Sequence, residues 1–305
     1  MQKSYINSLY QLLKKDKNVI SCLSDSGTDY DEMIAREFPN QVINFGISEN
    51  NKVAAAAGLA SCGKIPFVYT TSAFLAYRSY EFIRNDVCIQ NKNVKLIGMG
   101  SGLAWSTLGV THHTTEDIAA LKALPNLTIL SPCSPKELEK CIYTAYDING
   151  PVYVRMGMSN EMEIYPDNCT FKLGKNNVLL EGNKGAIFTT GSITSEVLSA
   201  AKRLSDEGFS LEVVNISTIK PFDQQSVIEE CKKNSVIFSV EEHNVIGGIG
   251  SSIADVIAEN KLNVELIKIG LADTFAVGYG THSQVLEMNR LDKNNIYEII
   301  KNKLS

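Results

Sequence analysis

Glu49 is the residue of this 305-residue sequence best placed to do chemistry. It follows Phe45-Gly46-Ile47-Ser48, which reads as a strand end, a tight turn and a helix N-cap, and it leads into an alanine-packed run ended by Gly63. A carboxylate in the first turn of such a helix is pulled two ways. The helix dipole favours the ion and apolar burial favours the neutral acid, so the segment alone leaves its protonation state open. From the segment alone the favoured reading is a plain first-turn residue that complements the dipole. Other groups with chemical potential are Asp25 in Ser24-Asp25-Ser26-Gly27-Thr28, the adjacent His112 and His113, and Arg78, one helical turn beyond Phe74. Gly247-Gly248-Ile249-Gly250 suits either an anion nest or close helix–sheet packing, and so weak a motif favours packing. Four histidines are too few for a His-rich metal centre, and no metal site is expected. Seven scattered cysteines without a CxxC suit free thiols in a reducing cytoplasm better than disulfides or zinc.

The elements that must position these groups alternate. Strands are expected at 19–23, 42–45, 65–71, 94–99, 127–130 and 151–156, and helices at 5–14, 29–38, 49–62 and 79–90. A further helix at 115–124 has Thr114 as its cap, and Ser134-Pro135-Lys136-Glu137 reads as a capping box opening another. Residues 158–177, polar and containing Pro166, read as a linker. Beyond it, strands at 186–189, 211–216, 236–240 and 264–269 alternate with helices at 194–204, 225–233 and 253–259, before a helical tail at 283–304. Such alternation predicts two doubly wound α/β domains, 1–157 and 178–305, each built on a parallel sheet. Working loops in such sheets lie beyond the carboxyl ends of the strands, which brings Asp25, Glu49, Phe74 and His112 toward one place. With 44% apolar and 21% charged residues the composition is that of a soluble globular protein. No apolar run approaches the roughly 20 residues that span a bilayer, and the segment before Tyr5 is no signal peptide, so the expected location is cytoplasmic. A net charge of −5 offers no basic footprint for nucleic acid or an anionic membrane.

FGISENN with AAAAGLA, then FVYTTSAF, RSYEFIRNDV, THHTTEDIAALKALPNL, GPVYVR and VEEHNVIGGIGSSIADV occur in an order that resembles the C-terminal half of transketolases, above all those split over two chains. The resemblance covers nearly the whole sequence. It implies a thiamine-diphosphate-dependent transferase of two-carbon ketol units from a ketose to an aldehyde, with residues 1–157 as the pyrimidine-binding domain and 178–305 as the transketolase C-terminal domain. No GDG motif occurs. The diphosphate and Mg2+ are therefore expected on an N-terminal partner subunit, in a heterotetramer within which this chain pairs with itself. The resemblance gives Glu49 the catalytic place: it hydrogen-bonds N1′ of the aminopyrimidine and prepares the cofactor's C2 to lose its proton, a role that calls for a partly neutral carboxyl. Phe74 matches the aromatic residue that stacks on that ring, and Asp25 a cofactor-contacting aspartate. His112 matches a substrate histidine, with His113 beside it, and Arg78 faces either a substrate oxygen or a plain surface ion pair. His243 and His282 are left as structural or surface residues.

The departures concern the substrate, a sugar or sugar phosphate. Leu108 stands where an aspartate is usual, Gly100 where a histidine is, and Met158 and Gln2 where arginines are, although Arg155 lies near. Missing guanidiniums remove bidentate phosphate recognition, so the chemistry is expected to persist with changed sugars, in a specialised pathway. The competing readings are the β-type subunit of a 2-oxoacid dehydrogenase, a deoxyxylulose phosphate synthase, and a non-catalytic paralogue that only binds a partner. The His112 motif fits transketolase better than the first. Intact Glu49 and Phe74 argue against the last.

Overall fold

Buried apolar strands alternating with one-faced helices are best satisfied by parallel sheets covered on both sides, and the computed structural model contains two such sheets. It describes residues 1–25, 29–158, 162–165 and 170–305, with 29–31 described by backbone alone. Residues 26–28 of the Ser24-to-Thr28 segment and parts of the expected linker, Pro166 included, lie outside the described residues. In chain order come α1 (Gln2–Lys15), β1 (Val19–Leu23), α2 (Asp29–Glu37), β2 (Val42–Asn44), α3 (Glu49–Ser61) and β3 (Ile65–Thr71). A π-wound segment, Phe74–Arg78, the single turn α4 (Tyr80–Phe82) and a second π-wound segment, Ile83–Cys88, follow. Then come β4 (Lys95–Met99), α5 (Asp117–Lys122), β5 (Thr128–Leu130), α6 (Pro135–Asp147) and β6 (Val152–Met156). The second half runs β7 (Asn177–Leu180), β8 (Ala186–Thr189), the 3-10 turn Gly191–Ile193, α7 (Thr194–Asp206), β9 (Glu212–Asn215) and β10 (Thr218–Lys220). It ends with α8 (Gln224–Lys233), β11 (Val236–Asn244), α9 (Ile249–Glu259), β12 (Glu265–Leu271), α10 (His282–Met288) and α11 (Lys293–Leu304).

The first sheet has seven strands in the order β10-β5-β6-β4-β3-β1-β2, parallel except for β10. The second has five, β12-β11-β8-β9-β7, parallel except for β7. β10 comes from the second half of the chain yet pairs antiparallel with β5 of the first, Thr218 opposite Leu130. One apolar core runs between the sheets, joining Ile118 and Leu121 of α5 to Ile249, Ile253 and Val256 of α9. The outer face of the first sheet is covered by α1 and α6, that of the second by α7 and α11. Among the described residues no helix is long and apolar enough to cross a membrane, and the six described cysteines are free.

Several local expectations need correction. The helix placed at 79–90 begins at Ser72 and is largely π-wound from Phe74, a winding that propensity does not signal. Thr114 caps nothing: its N–H and carbonyl pair with Gly102 at 2.8 and 3.0 Å, and α5 starts at Asp117. In the Ser134 box, Glu137 accepts from the Cys133 N–H (2.8 Å) and meets Asn215 and Ser217, so a long-range polar network has taken over the local cap. The glycine-rich turn does cradle an anion, and the anion is the chain's own. Glu241 accepts from the N–H groups of Ile249 (2.8 Å) and Gly250 (3.0 Å), and it lies where any Cβ on Gly248 would sit.

Candidate active site

The buried stripe of α3 is Glu49, Lys52, Val53, Ala56 and Ala57, the spacing of one helical face. Glu49 is therefore carried inward by the same register that buries the alanines, and only 3% of it is exposed. Lys52, one turn on and fully buried, ties this end of the helix to the sheet: its Nζ donates to the Tyr69 carbonyl on β3 (2.8 Å) and to the Ser24 hydroxyl beyond β1. Sequence reasoning overlooked this lysine, although its i+3 spacing from Glu49 put it on the same face.

Phe74 and Arg78 sit at the two ends of the first π-wound segment, directly after β3. Arg78 Nη1 donates to Glu49 Oε2 at 2.6 Å, and the guanidinium carbon lies 4.6 Å from the centre of the Phe74 ring. A planar cation thus covers one face of an aromatic ring while bonding a buried carboxylate. His112 meets Phe74 edge-on at 5.0 Å, and Trp105 meets His112 at 6.4 Å. The Thr111 hydroxyl lies 2.9 Å from His112 Nδ1. Glu49, Arg78, Phe74, His112 and Trp105 form one continuous row. Four of these five were singled out from sequence; Trp105, the only tryptophan, was not.

Asp25 and His113 stand outside that row. Asp25 is exposed, two residues past β1. His113 is buried, and its ring nitrogens have no partner among the described residues. Burial lowers its pKa below the ordinary imidazole value, with His112 and His282 acting the same way and Glu242 and Glu116 opposing. Arg155 is not available to a ligand. It is 2% exposed, its Nε donates to both carboxylate oxygens of Asp117 (3.0 and 3.1 Å), and its Nη2 donates to the carbonyls of Thr114 and Glu242.

The four departures have visible settings. Gly100 has φ +74°, and a Cβ there would overlap the Trp105 indole, so the tryptophan occupies any side chain's place. Gln2 Nε2 donates to the Tyr69 hydroxyl (3.1 Å), and Leu108 is 47% exposed. Met158 lines a cleft of about 560 Å³ between the two sheets, together with Trp105, Cys133, Glu196 and His282. At its edge His282 Nε2 donates to Glu242 Oε2 (3.0 Å), which also accepts from the Leu103 N–H (2.8 Å). Burial alone would raise the Glu242 pKa, but His282, the Leu103 N–H and Arg155 outweigh it and hold the carboxyl below its ordinary value. His243 is structural, accepting at Nε2 from the Ala119 N–H (3.3 Å).

Residues 1–162 match the family model described as transketolase, pyrimidine binding domain, and residues 174–296 that described as transketolase, C-terminal domain. The chain is 36% identical over 299 residues to a putative transketolase C-terminal section of Methanocaldococcus jannaschii, covering 97% of this chain and 93% of that one. It is 36% identical over 264 residues to one subunit of the apulose-4-phosphate transketolase of Actinobacillus succinogenes, covering 87% and 85%. A solved structure described as a split gene transketolase, inactive beta4 tetramer, superposes with a TM-score of 0.91 at 32% identity, covering 99% of this chain and 97% of that one.

Proposed function

The chain belongs to the transketolase family, and from that premise we propose that it is the C-terminal subunit of a two-chain, thiamine-diphosphate-dependent enzyme that moves a two-carbon ketol unit from a ketose to an aldehyde in a specialised sugar pathway. Residues 1–157 act as the pyrimidine-binding unit, 158–177 as linker and 178–305 as the C-terminal unit. One observation carries the reading: a buried carboxylate at a helix start stands beside an aromatic face, and a planar, hydrogen-bonding cation already fills the space between them. That space fits an aminopyrimidine, a flat ring with a nitrogen edge, because the Arg78 guanidinium is a flat group with a nitrogen edge and satisfies both partners.

When bound, thiamine diphosphate supplies a nucleophilic carbon that accepts the two-carbon unit and passes it on. Glu49 holds the proton at N1′ of the pyrimidine, and α3, pinned by Lys52, fixes where that proton lies. Phe74 orients the ring by stacking. Arg78, half exposed, yields its place and is left at the mouth of the site to meet a substrate oxygen. His112 contacts the substrate, and the neutral, buried His113 supports it. Asp25 contacts the cofactor from the end of β1. The partner subunit carries the diphosphate and Mg2+, with two chains of each kind in the assembly. The Actinobacillus relative is itself one subunit of a transketolase, and the solved relative is a tetramer described as inactive; both support a chain that assembles and needs a complement.

The test is reconstitution with a partner chain and measurement of C2–H exchange on the cofactor. Glu49→Gln keeps size and folding but should slow exchange and turnover by about 10²-fold or more. Near-normal exchange in that variant would remove Glu49 from the reaction.

A further inference from the structure

The cleft between the sheets has an unassigned content of its own. Its walls are the loops after β4, β5 and β6 on one side and, on the other, the segment after β8 together with α10. Both sheets thus present carboxyl-terminal loops to it, the usual place for a small ligand in open parallel sheets, and about 560 Å³ accommodates one. The lining is largely apolar, with Trp105, Met158, Met162 and Leu286 among it. Six hydroxyl residues are set into it: Ser106 and Thr107 on the first side, Ser192, Ser195, Thr281 and Ser283 on the second. Of these, Ser195 is bonded to the Ser192 carbonyl and Thr281 to Gln284. The half-buried indole of Trp105 supplies an apolar platform. No lysine or arginine lines the cleft among the described residues. Its acidic and basic side chains, Glu196 and His282, are engaged, Glu196 by the Lys293 N–H (2.8 Å) and His282 by Glu242.

An apolar floor around an aromatic plate, with uncharged hydroxyls such as Ser106, Thr107 and Ser283 set into its wall, matches the C–H face and the hydroxyls of a sugar. A phosphate ester would find no guanidinium or ammonium there. Through its contact with His112, Trp105 joins the cleft to the row that ends at Glu49. We propose that the cleft holds the end of the sugar remote from the reacting carbonyl, as an uncharged polyhydroxyl chain without a phosphate ester. This rests on the two-carbon-transfer reading of the Glu49 site. It separates the chain from the Actinobacillus relative, whose name carries a sugar phosphate.

Trp105 is the only tryptophan, so occupancy of the cleft can be read by fluorescence on the unmodified chain, without partner or cofactor. D-xylulose and D-fructose should give saturable changes, and their 5- and 6-phosphates should bind about tenfold or more weakly. Ser283→Lys, at an exposed position on the rim, should tighten ester binding about tenfold and leave the neutral sugars within about twofold. Ser195→Leu should weaken both. Esters that bind the unmodified chain as tightly as neutral sugars, or a folded chain whose Trp105 responds to no sugar, would overturn the proposal. C2–H exchange by the reconstituted pair needs Glu49 and no sugar. Its absence would sink the two-carbon reading alone; its presence beside an unresponsive Trp105 would sink the cleft alone.

Discussion

Replacing Arg78 with methionine should make the assembled enzyme bind thiamine diphosphate more tightly, although it deletes a charge. In the free chain the guanidinium makes both contacts proposed for the pyrimidine, 2.6 Å to Glu49 Oε2 and 4.6 Å to the Phe74 ring centre. Because the Arg78 side chain is 48% exposed, its ion pair is discounted to about 1 kcal/mol, the upper end for pairs in contact with water. Stacking of a solvent-exposed guanidinium on phenylalanine adds about 0.5–1 kcal/mol. The entering ring must break both, a cost of about 1.5–2 kcal/mol, or roughly ten- to thirtyfold in dissociation constant. Methionine keeps the length and loses both contacts. The assay is calorimetric titration of the reconstituted pair with cofactor, beside a thermal scan that checks folding. Arg78→Lys, which keeps charge without the flat fork, should fall between the two. Unchanged or weaker cofactor affinity in a well-folded Arg78→Met variant would refute the reasoning that ring and guanidinium compete.

Asp117→Ala strands the buried Arg155 guanidinium and should cost about 3–5 kcal/mol in urea unfolding, whereas a loss below about 1 kcal/mol would mean that the pair is not what joins α5 to β6. Gly100→Ala should displace Trp105 from its place over the loop, seen as a red-shifted emission and about 1–3 kcal/mol of lost stability; an unaltered spectrum would contradict the overlap. His113 is held neutral by burial, so the unfolded chain takes up its proton first as pH falls. Its contribution is therefore intact above the unfolded imidazole value of about 6.5 and drains away below it. His113→Phe should flatten stability against pH below that point by up to about 1.4 kcal/mol per pH unit, and identical slopes would show that His113 titrates normally.

The convergence of Glu49, Phe74 and His112 was legible because strand–helix alternation dictates which loops share a sheet edge, whatever the side chains then do; Asp25, expected with them, stands outside the row. What Arg78 does was not legible. The sequence left substrate contact or a surface ion pair open to it; the ion pair found is with the buried Glu49, and it depends on the π winding that aims residue 78 back at residue 49. Lys52 was hidden by composition, since a lysine among alanines reads as a solvated residue until its register is counted. Long-range polar pairs were beyond reach. Glu137 turns from its box to Asn215, and Arg155 spends its donors on Asp117 and two carbonyls, contacts that local pattern does not encode. The edge strands β7 and β10, four and three residues long, are too short to show periodicity.

The shortest of these strands has the widest reach. β10 leaves the second half of the chain to close the β5 edge of the first sheet, and Lys220 at its end donates to the carbonyls of Lys122 and Leu124 below α5. A cut or a graft at the apparent boundary would take that strand away, leaving the β5 edge bare and ready to pair with another copy. The two halves are thus not interchangeable cassettes. Recombination between them must carry three residues across the seam or forfeit a closed sheet.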